Sequence, residues 1–481
     1  MYEPLPHPST ECPFYSGGLQ NFLIATHPDP NGDPAIASFP TIDDAFQSKT
    51  AHTLAPVGTH RGTPTRSWLG DIKQAGAREI LLDQNGHTLY YGIHMNQAFV
   101  DFIKANGLQT LAGVQNAPED LFFPAGLVEF KSAWMDIDPK DGVTGDYSNF
   151  ITTMAWVPTL HQDATSHLIS EDRNHPRQIK VALVAIHAVY TLPGHPEFIW
   201  ASIQHVGNGG ADHLQGVEHG VHADSAPTTD FNPPPDDQDN LKVKTVVSDG
   251  TDYLLYHAGT AANLANQAIP EQRLVLDDMA QSFPGQVTSI YRQFPGSKSN
   301  KIEPDDAIVS LNNNFGVLWA QGAGTRNPAD KRGNYRLVGG QWLDKPQFFK
   351  LNQGFQNDDT SPLFQLTDVK SESSFADISQ DVDRVSLLMA GTKPLDSLVQ
   401  NGSDSPFSIS AGEDRMSSTA MESFTQSASS FRNCFSCHNT QAINASGIPV
   451  NQDNMATRQL LPAKQLNVSH LFSQFVLEET E

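Results

Sequence analysis

Basic residues are scarce in this chain. Thirty Lys and Arg stand against 54 Asp and Glu in 481 residues, a formal charge of −24. A field of that sign repels polyanions, so nucleic acid and anionic membrane surfaces are excluded as partners. The acidity serves solubility, with a basic partner drawn by the field as the sharper alternative. Long apolar runs are also missing, and no stretch approaches the length of a membrane span. The opening "MYEPLPHPSTECPF" has neither a basic n-region nor an apolar h-region, and no lipobox precedes Cys12. No internal repeat is detectable. Cysteine occurs three times, at Cys12, Cys434 and Cys437. With no second C-x-x-C and no H-x-H pair beside the last two, a four-ligand zinc site lacks its donors.

What the chain does have is "FRNCFSCHNT", where Cys434, Cys437 and His438 form C-x-x-C-H. Two thiols at this spacing reach the two vinyl groups of one haem, and the adjacent imidazole is then held at the iron. The motif predicts one covalently attached haem c, with Cys434 and Cys437 as thioethers and His438 as the iron ligand. A disulfide between the two cysteines and half of a zinc site are the competing readings. A redox C-x-x-C belongs in a βαβ pattern, and none surrounds this one. Covalent haem in bacteria marks proteins matured outside the cytoplasmic membrane. A periplasmic or extracellular location is therefore expected, with an export signal already removed and Met1 as an added start. Cys12 is left without an obvious partner.

The surroundings read as a small α-helical haem module over 411–481. Thr419 and Glu422 make a capping box, and Met421, Phe424, Ala428 and Phe431 follow at helical spacing. Val468 and Ser469 look like the entry to a last helix that buries Leu471, Phe472, Phe475 and Val476. For the sixth iron position the sequence offers Met455, His470, a residue of the body such as His187 or His205, or an open site.

Residues 1–410 read as an α+β body, large and antiparallel, with peripheral helices. Asn85-Gly86 predicts a two-residue hairpin, Asp249-Gly250 repeats the device, and a third hairpin turns between Pro193 and Pro196. "GLVEFKSAWM" (126–135) and "NYRLVGGQWL" (334–343) read as strands. Met95, Phe99, Phe102 and Ile103 form a helical stripe stopped at Asn106-Gly107. A second helix begins at Pro304 and carries Ile308, Leu311, Phe315 and Leu318. "DFNPPPDDQDN" (230–240) is the best lobe boundary, and a polar stretch over 353–415 leads to the haem module.

The order of "FPAGLVEFKSAW", "ALVAIHAVYTLPGHPEFIWASIQHVGN", "NYRLVGGQW", "TAMESFTQSASSF" and "CFSCH" resembles a group of exported bacterial cytochrome c family proteins. The resemblance runs over much of the chain from about Phe123. It implies haem binding and names no reaction.

Other residues invite chemistry. His205, His213, His219 and His222, with Asp212, Glu218 and Asp224, could ligate a second metal, although a solvated histidine-rich loop is favoured. Glu129 and Lys131 share one strand face, while His187 and His205 interrupt very apolar strands. Buried ionisable groups must be paired or neutralised, so these four are candidates for a pocket. "HPDPNGDP" and "DIDPKDG" lack the ligand order of a calcium loop and read as turns. Three functions are compatible with this pattern. The first is electron transfer with a redox protein or small-molecule donor or acceptor. A haem oxidoreductase of peroxidase or oxygenase type, with a distal pocket from the body, is the second. A haem-based redox or gas sensor is the third. Oligomeric state is left open.

Overall fold

The computed structural model describes residues 12–46, 69–73, 79–119, 121–143, 145–192, 195–205, 254–257, 259–261, 264–290, 306–321, 330–342, 418–421, 459–462 and 464–480. It also describes 229–230, 245–246, 423, 434, 438 and 443–444. Its helices are α1 (Cys12–Ala25), α2 (Gln97–Ala105), α3 (Leu111–Asn116), α4 (Asp306–Gln321) and α5 (His470–Thr480). Its main sheet holds β1 (Leu89–Met95), β2 (Val128–Asp136), β3 (Thr152–Gln162), β4 (Ile169–Leu192), β5 (His195–His205) and β6 (Tyr335–Gln341). All its pairings are antiparallel, in the order β1-β2-β4-β5-β6, and β3 joins the first half of β4. This is the α+β architecture expected.

Strand β4 is central because its sequence leaves no other place for it. Every residue from Val181 to Thr191 is buried, so "VALVAIHAVYT" must be covered on both faces. Side chains alternate between those faces. On one, Phe130, Trp134, Ile186, Ala188, Tyr190, Ala201 and Ile203 share a core with α1 and α4. A Cβ on Gly18 would stand 2.4 Å from the Cβ of Ala201, so α1 rides directly on β5. On the other face, Met95, Val189 and Trp200 join Phe99, Phe102 and Ile103 of α2 in a second core. Leu471, Phe472, Phe475 and Val476 of α5 complete that core, as their spacing predicted. A third cluster on the same face gathers Tyr91, Ala133, Ala185, Ala420 and Met421.

Local chemistry sets the element ends. Asn96 caps α2 by accepting the Phe99 N–H at 3.0 Å, and Gly107 (φ 67°) follows its end. Met95, counted in the helical stripe, instead ends β1 and still faces the core shared with α2. The Asn85-Gly86 turn is longer than expected. Asp83 N–H donates to His87 O at 2.9 Å and Gly86 N–H to Asp83 O at 3.1 Å, which makes a three-residue loop with Gly86 at φ 78°. The cause is Asp83, whose carboxylate accepts the N–H groups of Asn85 and His87 and builds the turn itself. The hairpin over 193–196 forms, with Leu192 opposite His195. The Asp249-Gly250 turn, all of the 230–240 boundary after Asp230, and the 353–415 stretch lie outside the described residues.

Within 411–481, Ser418 accepts a hydrogen bond from Met421 N–H at 3.2 Å, while Glu422, the far end of the expected capping box, lies outside the described residues. Phe424, Ala428 and Phe431 lie outside the described residues. The C-terminal residues lean on the body throughout. Tyr91 donates to Ala420 O at 2.8 Å, and Gln204 donates to Ser418 Oγ at 2.6 Å. Lys464 Nζ donates to the carbonyls of Val114, Gln115 and Ala117 at 3.0, 2.9 and 3.3 Å. Among the described residues, no helix is long and apolar enough to cross a membrane.

Candidate functional site

The His438 N–H donates to Cys434 O at 2.8 Å, the i to i−4 bond of a helical turn. Residues four apart in such a turn project to the same side. The Cys434 N–H donates to Gln341 Oε1 at 2.5 Å, and the residue packs at the edge of the core shared by α2 and α5. His438 Nδ1 lies 2.9 Å from Val468 O. A carbonyl oxygen only accepts, so the proton sits on Nδ1. Burial is the main force holding the His438 pKa well below the ordinary value, and His470 adds to it. The ring is neutral, with its lone pair on Nε2, the arrangement of an imidazole prepared for a metal.

Three residues in sequence hold this ring. Val468 supplies the acceptor. His470 stacks on His438 with ring centroids 3.9 Å apart and planes 19° from parallel. Between them, Ser469 Oγ donates to Glu129 Oε2 at 2.8 Å. Burial pushes the Glu129 carboxyl up to about 7, against the opposing pull of the Ser469 hydrogen bond and of Lys131. Trp200 flanks His438 from the sheet at 5.3 Å.

The sheet organises these contacts. Met95, Glu129, Val189, Trp200 and Gln341 are successive partners across β1, β2, β4, β5 and β6. They therefore form one row on one face. From that row Glu129 holds Ser469, Trp200 flanks His438, and Gln341 holds the backbone of Cys434. The next row on the same face is Ile93, Lys131, His187, Ser202 and Gly339. The charges of Lys131 and His187 both oppose protonation of His438. Lys131 Nζ also sits 5.7 Å from the centroid of the Tyr91 ring. A polar row is thus set into an apolar face beside the histidine.

The expected site residues divide accordingly. Cys434, His438, His470, Glu129, Lys131 and His187 come together on this face. His205 does not. It alternates with Trp200, Ser202 and Gln204 on β5 and so points to the opposite face. There it stacks on Phe150 at 3.5 Å, with Nε2 facing Asn149 O at 3.2 Å, and burial brings its pKa down to about 3. Cys12 opens α1. Cys437, Met455 and the loop with His213, His219 and His222 lie outside the described residues. Among the described residues, no group of three or more His, Cys, Asp or Glu is gathered for a metal. The two acidic stretches are turns. Asp29 accepts the N–H groups of Asn31 and Asp33, while Asp136 accepts from Asp138 N–H and pairs with Arg177 at 3.2 Å.

The sequence does not single out Gln341 or Trp200, and it marks Ser469 only as a helix entry. Gln341 carried a signal, a fully buried amide inside the apolar run "LVGGQW". A buried amide needs a partner, and here that partner is the motif itself. No family model matches this chain, and no curated protein or solved structure shows significant similarity to it.

Proposed function

We propose that the chain is a mono-haem c-type cytochrome that exchanges electrons with a redox partner outside the cytoplasm. In this reading Cys434 and Cys437 carry the thioethers and His438 is the proximal ligand. The observation that carries it is the state of His438, whose Nδ1–H is committed to Val468 O so that Nε2 is free to bind iron. The residues present fit the group. The backbone bond from His438 to Cys434 draws the two residues together, and the adjoining face offers apolar surface with a polar row. The resemblance of the body segments to exported cytochrome c family proteins points the same way.

When bound, a haem would supply the one-electron redox couple of its iron. The chain's own part is to fix and tune. Val468 holds the ring tautomer, Gln341 steadies the backbone of Cys434, and the charge of Lys131 sits near enough to His438 to be felt there. Burial and nearby charge are among the levers that set a haem potential.

Denaturing electrophoresis with haem staining tests attachment. One haem per chain should stain and survive acid–acetone extraction, and Cys434→Ala with Cys437→Ala should abolish it. Complete extraction from the unaltered protein would overturn the proposal in favour of a disulfide or metal role for the two thiols.

A further inference from the structure

We propose that Glu129 is a positioning residue for His438, acting through Ser469. This deepens the haem reading above and rests on it for its redox consequence only. Glu129 sits on β2, far from the motif in sequence. Its carboxylate receives the Ser469 hydroxyl at 2.8 Å. Ser469 lies between the two residues that handle the imidazole, Val468 as acceptor and His470 as stacking partner. Val468, Ser469 and Glu129 are all buried, with relative exposures of 1, 2 and 7 %. One side-chain bond from the rigid sheet thus anchors the short segment that sets both the tautomer and the tilt of the ring. Ser469 closes a 3₁₀ turn over Gln465–Val468, its own N–H donating to Leu466 O at 3.1 Å, and α5 begins at the next residue.

An outer residue of this kind acts on a ligand by orienting it, and its loss is felt in the properties of the bound metal. The carboxylate is not required as a charge. An amide oxygen at the same place accepts the same hydroxyl, so Glu129→Gln should preserve the device where Glu129→Ala removes it. Ser469→Ala removes it from the other side. Because both changes delete one bond, the double variant should do no more than either single one.

The test uses the full chain and two readouts. Histidine nitrogen NMR of haem-free protein reports the His438 tautomer. The Nδ1–H form should dominate in the unaltered protein and in Glu129→Gln, and give way to a mixture in Glu129→Ala and Ser469→Ala. In haem-bearing protein, the reduction potential should move in the two alanine variants and return in Glu129→Gln. A tenfold change in the oxidised-to-reduced ratio corresponds to about 59 mV for one electron. Should Glu129→Ala fail to fold, Ser469→Ala carries the test alone. An unchanged tautomer and potential in Ser469→Ala overturn the proposal, as does a Glu129→Gln variant that behaves like Glu129→Ala. Haem staining of the same samples decides the haem reading separately, and a stain-negative protein with the expected tautomer shift would refute that reading while sustaining this one.

Discussion

A lysine ordinarily reads as surface, and Lys464 in "LLPAKQLN" gives no sign of anything else. The structure buries it completely, with its ammonium on three carbonyls at the end of α3. Carbonyls in the last turn of a helix lack an i+4 N–H partner, Val114 O here taking only a long bond from Ala117 N–H at 3.4 Å, and a cation there satisfies them and complements the helix dipole. Lys464→Met keeps the stem and removes the bonds. It should cost about 2–3 kcal/mol, the scale of hydrogen bonds to a charged group, seen as a lower urea midpoint at unchanged slope. His205 makes the opposite point, because an interrupted apolar strand flagged it but misassigned its role. It is a neutral ring sealed against Phe150 and Tyr335, not a group near His438. Burial depresses its folded-state pKa to about 3 from 6.5. The unfolded chain takes up the proton first, so stability is fully present above pH 6.5 and is lost as pH falls toward 3. The slope approaches roughly 1.4 kcal/mol per pH unit. Replacing His205 with Gln should flatten the acid limb of stability between pH 6.5 and 4, with some slope left by His94, which burial lowers to about 4. Equal slopes in the two proteins would show that His205 does not drive that limb.

Elements were legible where a short-range pattern decides them. Alternation gave β2, an unbroken apolar run gave the inner half of β4, and the spacing of Leu471, Phe472, Phe475 and Val476 gave α5. What could not be read was which faces meet, because period-two alternation names two faces without saying what covers either. Glu129 and Gln341 are more than two hundred residues apart, and only strand order makes them members of one row. The same limit hid α1, whose Gly17 and Gly18 suggest a weak helix until the sheet beneath is known. Gly18 meets Ala201 so closely that a methyl group has no room. Helix propensity alone would favour alanine there by about 1 kcal/mol. Overpacking of a close contact costs about 1–3 kcal/mol and should win. Gly18→Ala is therefore expected to destabilise the protein in urea, whereas the same change at an open helix position would stabilise it.

At the scale of the molecule the sequence suggests a body and an appended module, and the apolar surface decides how the two relate. The haem motif lies near the end of the chain, and a small helical unit could in principle hang free. The buried face of α5 argues otherwise, because exposed apolar surface of that size is costly in water. In the structure that face is covered by the body. Phe475 stacks on Phe46 at 4.4 Å, Phe472 meets Phe46, Phe99 and Phe123, and all belong to one core. Polar ties repeat the connection at Lys464, Ser469, Ser418 and Ala420. Covering the module costs the body nothing extra, since α2 and the sheet already present an apolar face that needs a lid. A protease site inserted near residue 400 should therefore separate the chain covalently and not physically. After cleavage the two fragments should co-elute on gel filtration and part only in denaturant, and Phe472→Ala, which removes about 3–5 kcal/mol of core packing, should loosen the pair. A C-terminal fragment that elutes alone and soluble under native conditions would contradict the shared core. Under the proposed haem reading, the group would then be carried on an arm, its surroundings supplied by solvent and not by the sheet.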